Sequence, residues 1–165
     1  MNKKPTSNLR VRLLPVVADD LPTLFEFQCD PASNRMAAVH PRSRDEFDAH
    51  WSRILGDSDV IAQSIRFDDE VNDEVVGCIN CFQTDGQHFV GYWIGRAYWN
   101  RGIATSALEQ LLVKAQNRPL YAHVAVSNLA SIRVLQKCGF EIVDYQHSPG
   151  TDRLAECEEA VLRLA

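Results

Sequence analysis

The chain has no apolar run near the ~20 residues needed to cross a bilayer, so a membrane-spanning role is not expected. It has no internal repeat, no low-complexity block and no long linker, which removes solenoids and disordered tethers. Positive charge is not in excess. Lys and Arg number 17 against 22 Asp and Glu, a net charge of -5, and this speaks against general nucleic-acid binding. An acidic surface tolerates a cationic or amine substrate better than a polyanion. Cys78-x-x-Cys81 has no second pair to complete a zinc site, and residues three apart on a strand point to opposite faces, so two small core residues are expected there and no metal. The five cysteines are odd in number and scattered, with no secretory segment, which implies free thiols and a cytoplasmic location. Residues 1–7 are basic without an apolar stretch behind them and read as a flexible tail, not an export signal.

What remains is ordinary for one globular domain spanning 1–165, with 45% hydrophobic and 24% charged residues. Leu9 to Val17 alternates as a first strand. Asp19-Asp20-Leu21-Pro22 supplies a cap and an early proline for a helix carrying Leu21, Leu24, Phe25 and Phe27, which Pro31 ends or restarts. Ser43-Arg44-Asp45-Glu46 is a capping box for a second helix with Phe47, Trp51, Ile54 and Leu55 as its stripe, closed by Gly56-Asp57. Strands are predicted near 60–67, 74–82 and 88–94, the first two joined by the acidic loop 68–73 and the third set off by Thr84-Asp85-Gly86. Ile103, Ala104, Ala107, Leu108, Leu111, Leu112 and Ala115 follow a 3.6-residue period, the strongest helix signal in the chain. Strand 120–126, helix 128–137, strand 139–145 and a last strand within 156–164 complete the order. A strand–helix–strand crossover set in an antiparallel meander makes an α+β, mixed α/β sheet. The meander and the missing Gly-x-Gly-x-x-Gly argue against a dinucleotide domain.

The strand Tyr92-Trp93-Ile94 runs through a short loop into Gly102 and the amphipathic helix. The first turn of a helix has unpaired N–H groups and partial positive charge, so a phosphate can sit there without a lysine. Two motifs then carry a likeness. Trp99-Asn100-Arg101-Gly102-Ile103-Ala104, followed by Thr105, resembles the pyrophosphate loop Gln/Arg-x-x-Gly-x-Gly/Ala of the GNAT superfamily of acyl-CoA N-acyltransferases, with Trp99 in place of the first polar residue. Asn128 to Phe140 resembles the Asn-x-x-Ser-x-x-x-x-x-Lys-x-Gly-Phe signature of that superfamily's ribosomal-protein N-terminal acetyltransferase branch. The element order matches over nearly the whole chain.

The resemblance implies a central, mostly antiparallel, twisted sheet of about seven strands with flanking helices, splayed between strands 4 and 5. It implies transfer of an acetyl group from acetyl-CoA to a primary amine, either a protein N-terminus or a small molecule, by direct attack in a ternary complex. The cofactor-binding residues implied are Trp93, Ile94, Asn100, Arg101, Gly102, Ile103, Ala104, Thr105, Asn128, Ser131 and Lys137. The pantetheine arm pairs with the Tyr92–Ile94 backbone as an added strand would, and the N–H of Ile94 or a neighbour holds the oxyanion.

His123, on the strand before Asn128, is the leading base, since histidine titrates near neutral pH; a structural strand histidine is the alternative. His88 is the runner-up, with Phe89 where the branch often has an acid. The tyrosine seven residues after the motif asparagine is absent, and Leu135 stands there. Ser131 is then the candidate acid, against a packing role; Tyr145 and solvent are the others. Phe89 and Leu135 motivate a second reading, a CoA-binding sensor or scaffold that transfers nothing. Arg35, Arg42 and Arg44 lie where the superfamily gates its acceptor and would contact an acidic substrate, the cofactor or solvent alone. Trp51, Trp93 and Tyr98 are expected in the core or a pocket. The acceptor-setting loops, between Cys29 and Arg44 and near Tyr145–Asp152, carry no sharp signal. An exposed edge strand would allow a homodimer.

Overall fold

The structure is a computed structural model and describes residues 10–68 and 73–165. The expected tail at 1–7 and the tip of the acidic loop, 69–72, lie outside the described residues.

Seven strands form one sheet in the order β1-β2-β3-β4-β5-β7-β6. They are β1 (Val11–Pro15), β2 (Ile61–Asp68), β3 (Asp73–Thr84), β4 (Gln87–Ile94), β5 (Leu120–Ala125), β6 (Glu141–Ser148) and β7 (Cys157–Leu164). All neighbours are antiparallel except β4 and β5, which are parallel. That one parallel pair is what the helical crossover requires. The β3–β4 connection is a tight turn in which Asp85 (φ 51) and Gly86 (φ 77) are both left-handed, the geometry that matches strand twist in a two-residue hairpin.

Three helices precede β2, not two: α1 (Leu21–Cys29), α2 (Pro31–Ala37) and α3 (Arg44–Leu55). Pro31 restarts a helix because it is tolerated in a first turn, and Asp30 caps it by accepting the Ser33 N–H at 3.0 Å. The capping box at Ser43 and Glu46 forms as its spacing predicts. Asp20, 2% exposed, accepts from Arg66 Nη2 at 2.6 Å and from the Val17 N–H at 3.0 Å, tying the start of α1 to β2.

The sheet separates two cores. On one face α4 (Ile103–Lys114) and α5 (Leu129–Lys137) pack with Ile103, Ala107, Leu108, Leu111, Ile132 and Leu135 against Ile65, Ile79, Val90 and Leu120. On the other, Leu24 of α1 and Phe47 and Trp51 of α3 form a smaller cluster with Val16. Cys81 belongs to the first cluster and Cys78 packs on the second, the opposite faces their spacing predicts.

Candidate functional site

β4 and β5 stay paired over two registers, His88 with Leu120 and Phe89 with Tyr121, and then part. The backbone of β4 beyond that point has β3 on one side and a gap on the other. Gly95 donates its N–H to Val76 O at 2.8 Å, so strand alternation turns the peptide edge of Ile94 toward the gap. The Ile94 carbonyl accepts from the Trp99 indole N–H at 2.9 Å. Trp99, which departs from the motif's usual polar residue, thus ties the loop back to the strand it leaves.

Gly102 sits at φ 75, ψ 8, the left-handed cap from which α4 starts, and no side chain caps the helix. The first intrahelical bond runs from Ser106 N–H to Gly102 O at 3.1 Å, which leaves the amides of Ile103, Ala104 and Thr105 without helical acceptors. These amides and the open β4 edge meet in one cavity of about 510 Å³. Trp93, Ile94 and the loop residues Asn100, Arg101, Gly102, Ile103 and Ala104 line it; so do Asn128, Ser131 and Lys137 across the gap. Thr105 does not line it, and its place in the first turn offers a backbone N–H and no more.

Asn128 is the N-cap of α5: its Oδ1 accepts the Ser131 N–H at 3.2 Å, which orients the side-chain amide at the cavity wall. Ser131 Oγ lies 2.6 Å from the Tyr92 hydroxyl, which also donates to Ser131 O at 3.2 Å. Burial outweighs the Ser131 hydrogen bond and pushes the Tyr92 hydroxyl up to about 12, so it stays protonated. Tyr92 as a proton-bearing group beside Ser131 was not foreseen; period-two alternation from Val90 would have placed it on the Ser131 side. Nor were Ser33, Met36 and Ala37 of α2, or Arg133, which also line this cavity.

His123 stands elsewhere. It is on β5, 37% exposed, with its ring edge-on to Phe89 at 5.3 Å, its Nδ1 3.3 Å from Gln146 Nε2 and 3.7 Å from Glu159 Oε2. It lines neither this cavity nor the second one described below. The register carried on from Phe89–Tyr121 puts it level with Gly91, and it shares the sheet face of Phe89. The second catalytic candidate, Ser131, is inside the cavity. Of the lesser candidates, Phe89 fills its position with a ring stacked on Phe82 and tilted against Tyr121, and Tyr145 is exposed on β6. Arg44 is paired with Asp48 at 3.1 Å and covers the Phe25 ring.

A second cavity, about 160 Å³, lies on the other face of β4. Tyr92 and Trp93, successive and therefore pointing to opposite faces, line both chambers. Gln28, Arg42, His50, Trp51 and Arg153 help to close the second. Here burial, then neighbouring guanidiniums, hold the His50 imidazole down at about 4 and lower Arg42 and Arg153, the latter to about 10. Burial raises the Cys78 thiol to about 12 and also raises Cys81 and Cys138, which keeps these three protonated. Among the described residues no three His, Cys, Asp or Glu side chains cluster as a metal site would require, and no helix is long and apolar enough to cross a membrane.

Residues 10–141 match the family model described as an acetyltransferase (GNAT) domain. A curated relative, an uncharacterized N-acetyltransferase p20 of Bacillus licheniformis, is 24% identical over 154 residues, 86% of each chain. The fold is shared with a GNAT-family acetyltransferase from Bacillus anthracis, at TM-score 0.77 and 16% identity over 94% of both chains. It is shared equally with a spermidine N-acetyltransferase from Vibrio cholerae solved with CoA and spermine, at TM-score 0.77 and 13% identity over 94% of this chain and 95% of that one. The splayed fourth strand, the uncapped first turn of α4 and the match over residues 10–141 agree: the chain belongs to the GNAT acetyltransferase family.

Proposed function

We propose that the protein moves an acetyl group from acetyl-CoA to a primary amine by direct attack, with no covalent enzyme intermediate. The observation that carries this is the joining of an open β4 edge and an uncapped helix start in one cavity. The amides of the Gly102 turn suit the diphosphate, with Arg101, Arg133 and Lys137 at the cavity wall adding positive charge. The β4 edge suits the amides of the arm. The Ile94 N–H suits the oxyanion, because a fixed backbone dipole needs no reorganisation when charge develops.

As the tetrahedral intermediate collapses, its nitrogen gives up a proton that solvent carries to the leaving thiolate; before attack, the ammonium must lose an earlier one to become nucleophilic. We assign that earlier proton to His123 acting through intervening water, since the ring lines neither cavity, with the Glu159 carboxylate 3.7 Å from Nδ1 to favour the imidazolium that forms. As the carbon–sulfur bond breaks, the Ser131–Tyr92 hydroxyl pair donates a hydrogen bond to the thiolate. A phenol held near 12 stabilises that charge without surrendering its proton, and solvent completes the protonation. The Asn128–Phe140 motif supports kinship with the ribosomal-protein N-terminal acetyltransferase branch, and the five free cysteines support a reducing, cytoplasmic setting. The β6 edge, with Val143 and Tyr145 exposed, is where we place a homodimer contact.

Acetyl transfer to a panel of peptides, polyamines and amino acids tests the reading. Transfer to at least one class, lost in H123A with CoA affinity kept, is the expected result. Tight CoA binding with no transfer to any acceptor would make the protein a sensor or scaffold instead.

A further inference from the structure

The 160 Å³ cavity is built unlike the larger one. Its charge comes from side chains far apart in sequence: Arg42 before α3, His50 within α3, and Arg153 in the β6–β7 connection. Arg153 donates to the His40 carbonyl, which holds that connection against the α2–α3 loop. Among the described residues, neither Arg42 nor Arg153 is in an ion pair with a carboxylate. Glu46, whose charge acts on Arg42, is already the capping-box acceptor for the Ser43 N–H at 2.7 Å. Two further polar atoms of the lining are buried without partners, Trp93 Nε1 and Asn80 Oδ1.

A native chain seldom leaves guanidiniums half-desolvated and neighbouring donors unused, because each costs free energy on folding. The lowered titration of His50, Arg42 and Arg153 reflects that cost: burial disfavours each charge first, and a nearby guanidinium adds to it, Arg53 for Arg42, Arg42 for Arg153, and all three arginines for His50. An anion in the chamber would offset the repulsion between the guanidiniums and give their buried N–H groups the partner they lack. Guanidinium forks match a planar carboxylate. Asn80 Oδ1 is left to accept from an N–H, and a neutral His50 adds no competing charge.

We infer that the acceptor is a small amine bearing a carboxylate, an amino acid or a close analogue, whose carboxylate is held by Arg42, Arg153 and the Trp93 indole N–H on the face of β4 opposite the cofactor. The chamber's size suits one short side chain and not a long polyamine. The word acceptor rests on the transferase reading above; the anion site itself does not. The acidic net charge pointed toward a cationic acceptor, but whole-chain charge is dominated by the surface and does not describe a chamber lined by two arginines.

Matched acceptors test this: L-leucine against 3-methylbutylamine, and L-serine against ethanolamine. The acid of each pair is expected to show about tenfold higher kcat/KM. R42Q and R153Q are expected to remove that advantage through KM for the acid, with a clearly smaller change for the plain amine and none in KM for acetyl-CoA. R42K, which keeps the charge and loses the fork, should fall between. Equal or better transfer to the plain amines, variants that slow both members alike, or a preference for acidic peptides over free amino acids would overturn the inference. A second measurement does not need turnover: calorimetry of N-acetyl-leucine against N-(3-methylbutyl)acetamide on the CoA-loaded protein. Arginine-dependent binding of the acid without any transfer leaves the anion site standing and removes the transferase reading. Transfer to plain amines without that binding does the reverse. Absence of arginine-dependent binding overturns the inference whatever the turnover.

Discussion

The two chambers that share β4 are made of different materials. The larger is made of main chain: a left-handed glycine, three amides without acceptors and a strand edge with no neighbour. The smaller is made of side chains delivered by α1, the α2–α3 loop, α3, β3, β4 and the β6–β7 connection. A ligand common to a whole family can be met by backbone, which every member possesses. A ligand particular to one protein calls for side chains, which can change without disturbing the fold.

Breaking the main-chain chamber should have the largest effect. Gly102→Asp puts a side chain at φ 75 and a negative charge where the diphosphate is expected, and CoA affinity by calorimetry should fall by at least about 100-fold. Wild-type affinity in that variant would remove the cradle. Next is His123→Ala, for which turnover should fall by about 100-fold while CoA affinity holds. A variant with an unaltered rate across pH 6 to 9 would end the base assignment. Tyr92→Phe removes the hydroxyl from Ser131 but keeps the ring, so kcat should drop by about tenfold with both KM values nearly steady. If KM for acetyl-CoA rises instead, the hydroxyl pair is a binding element and not a catalytic one. Trp99→Phe breaks the tether to the Ile94 carbonyl and should cost about 1 kcal/mol in chemical denaturation. An unshifted midpoint would mean the indole hydrogen bond is fully replaced by water.

The smallest effect belongs to the side-chain chamber and depends on pH. His50 is held at about 4 in the fold against an ordinary 6.5. Above about 6.5 it is neutral in both folded and unfolded chains and contributes nothing to pH dependence. Between about 6.5 and 4 the unfolded chain takes a proton that the fold refuses, so stability declines as pH falls through that window. In H50Q the drop in Tm from pH 7 to pH 5 should be smaller than in the wild type. An equal or larger drop would place the acid sensitivity elsewhere.

The same contrast explains what could be read before the fold was known. Gly102 with the apolar period from Ile103 to Ala115 is local, and it located α4 and the first turn that opens on the large cavity, whereas Asn128, Ser131 and Lys137 across the gap are named only through the family resemblance. The capping box at Ser43 is equally local and correct. Pro31 was ambiguous because proline is compatible with both a helix end and a first turn, and the Asp30 cap decides between them. Arg42 stood out in the sequence beside Arg35 and Arg44, but nothing local separates the three. Arg42 reaches a cavity only because Arg153, 111 positions later, closes it from the other side. Tyr92 was legible as strand and not as chemistry, since its partner hydroxyl comes from α5.

The turn at Asp85-Gly86 has a reach its size does not suggest. It sets the phase of every residue on β4 relative to β3, and phase on a pleated strand decides which side of the sheet each ring occupies. One amino acid inserted in that hairpin would send the Tyr92 phenol into the arginine compartment and the Trp93 indole toward α5. The identity of each compartment is therefore kept by two residues that touch neither.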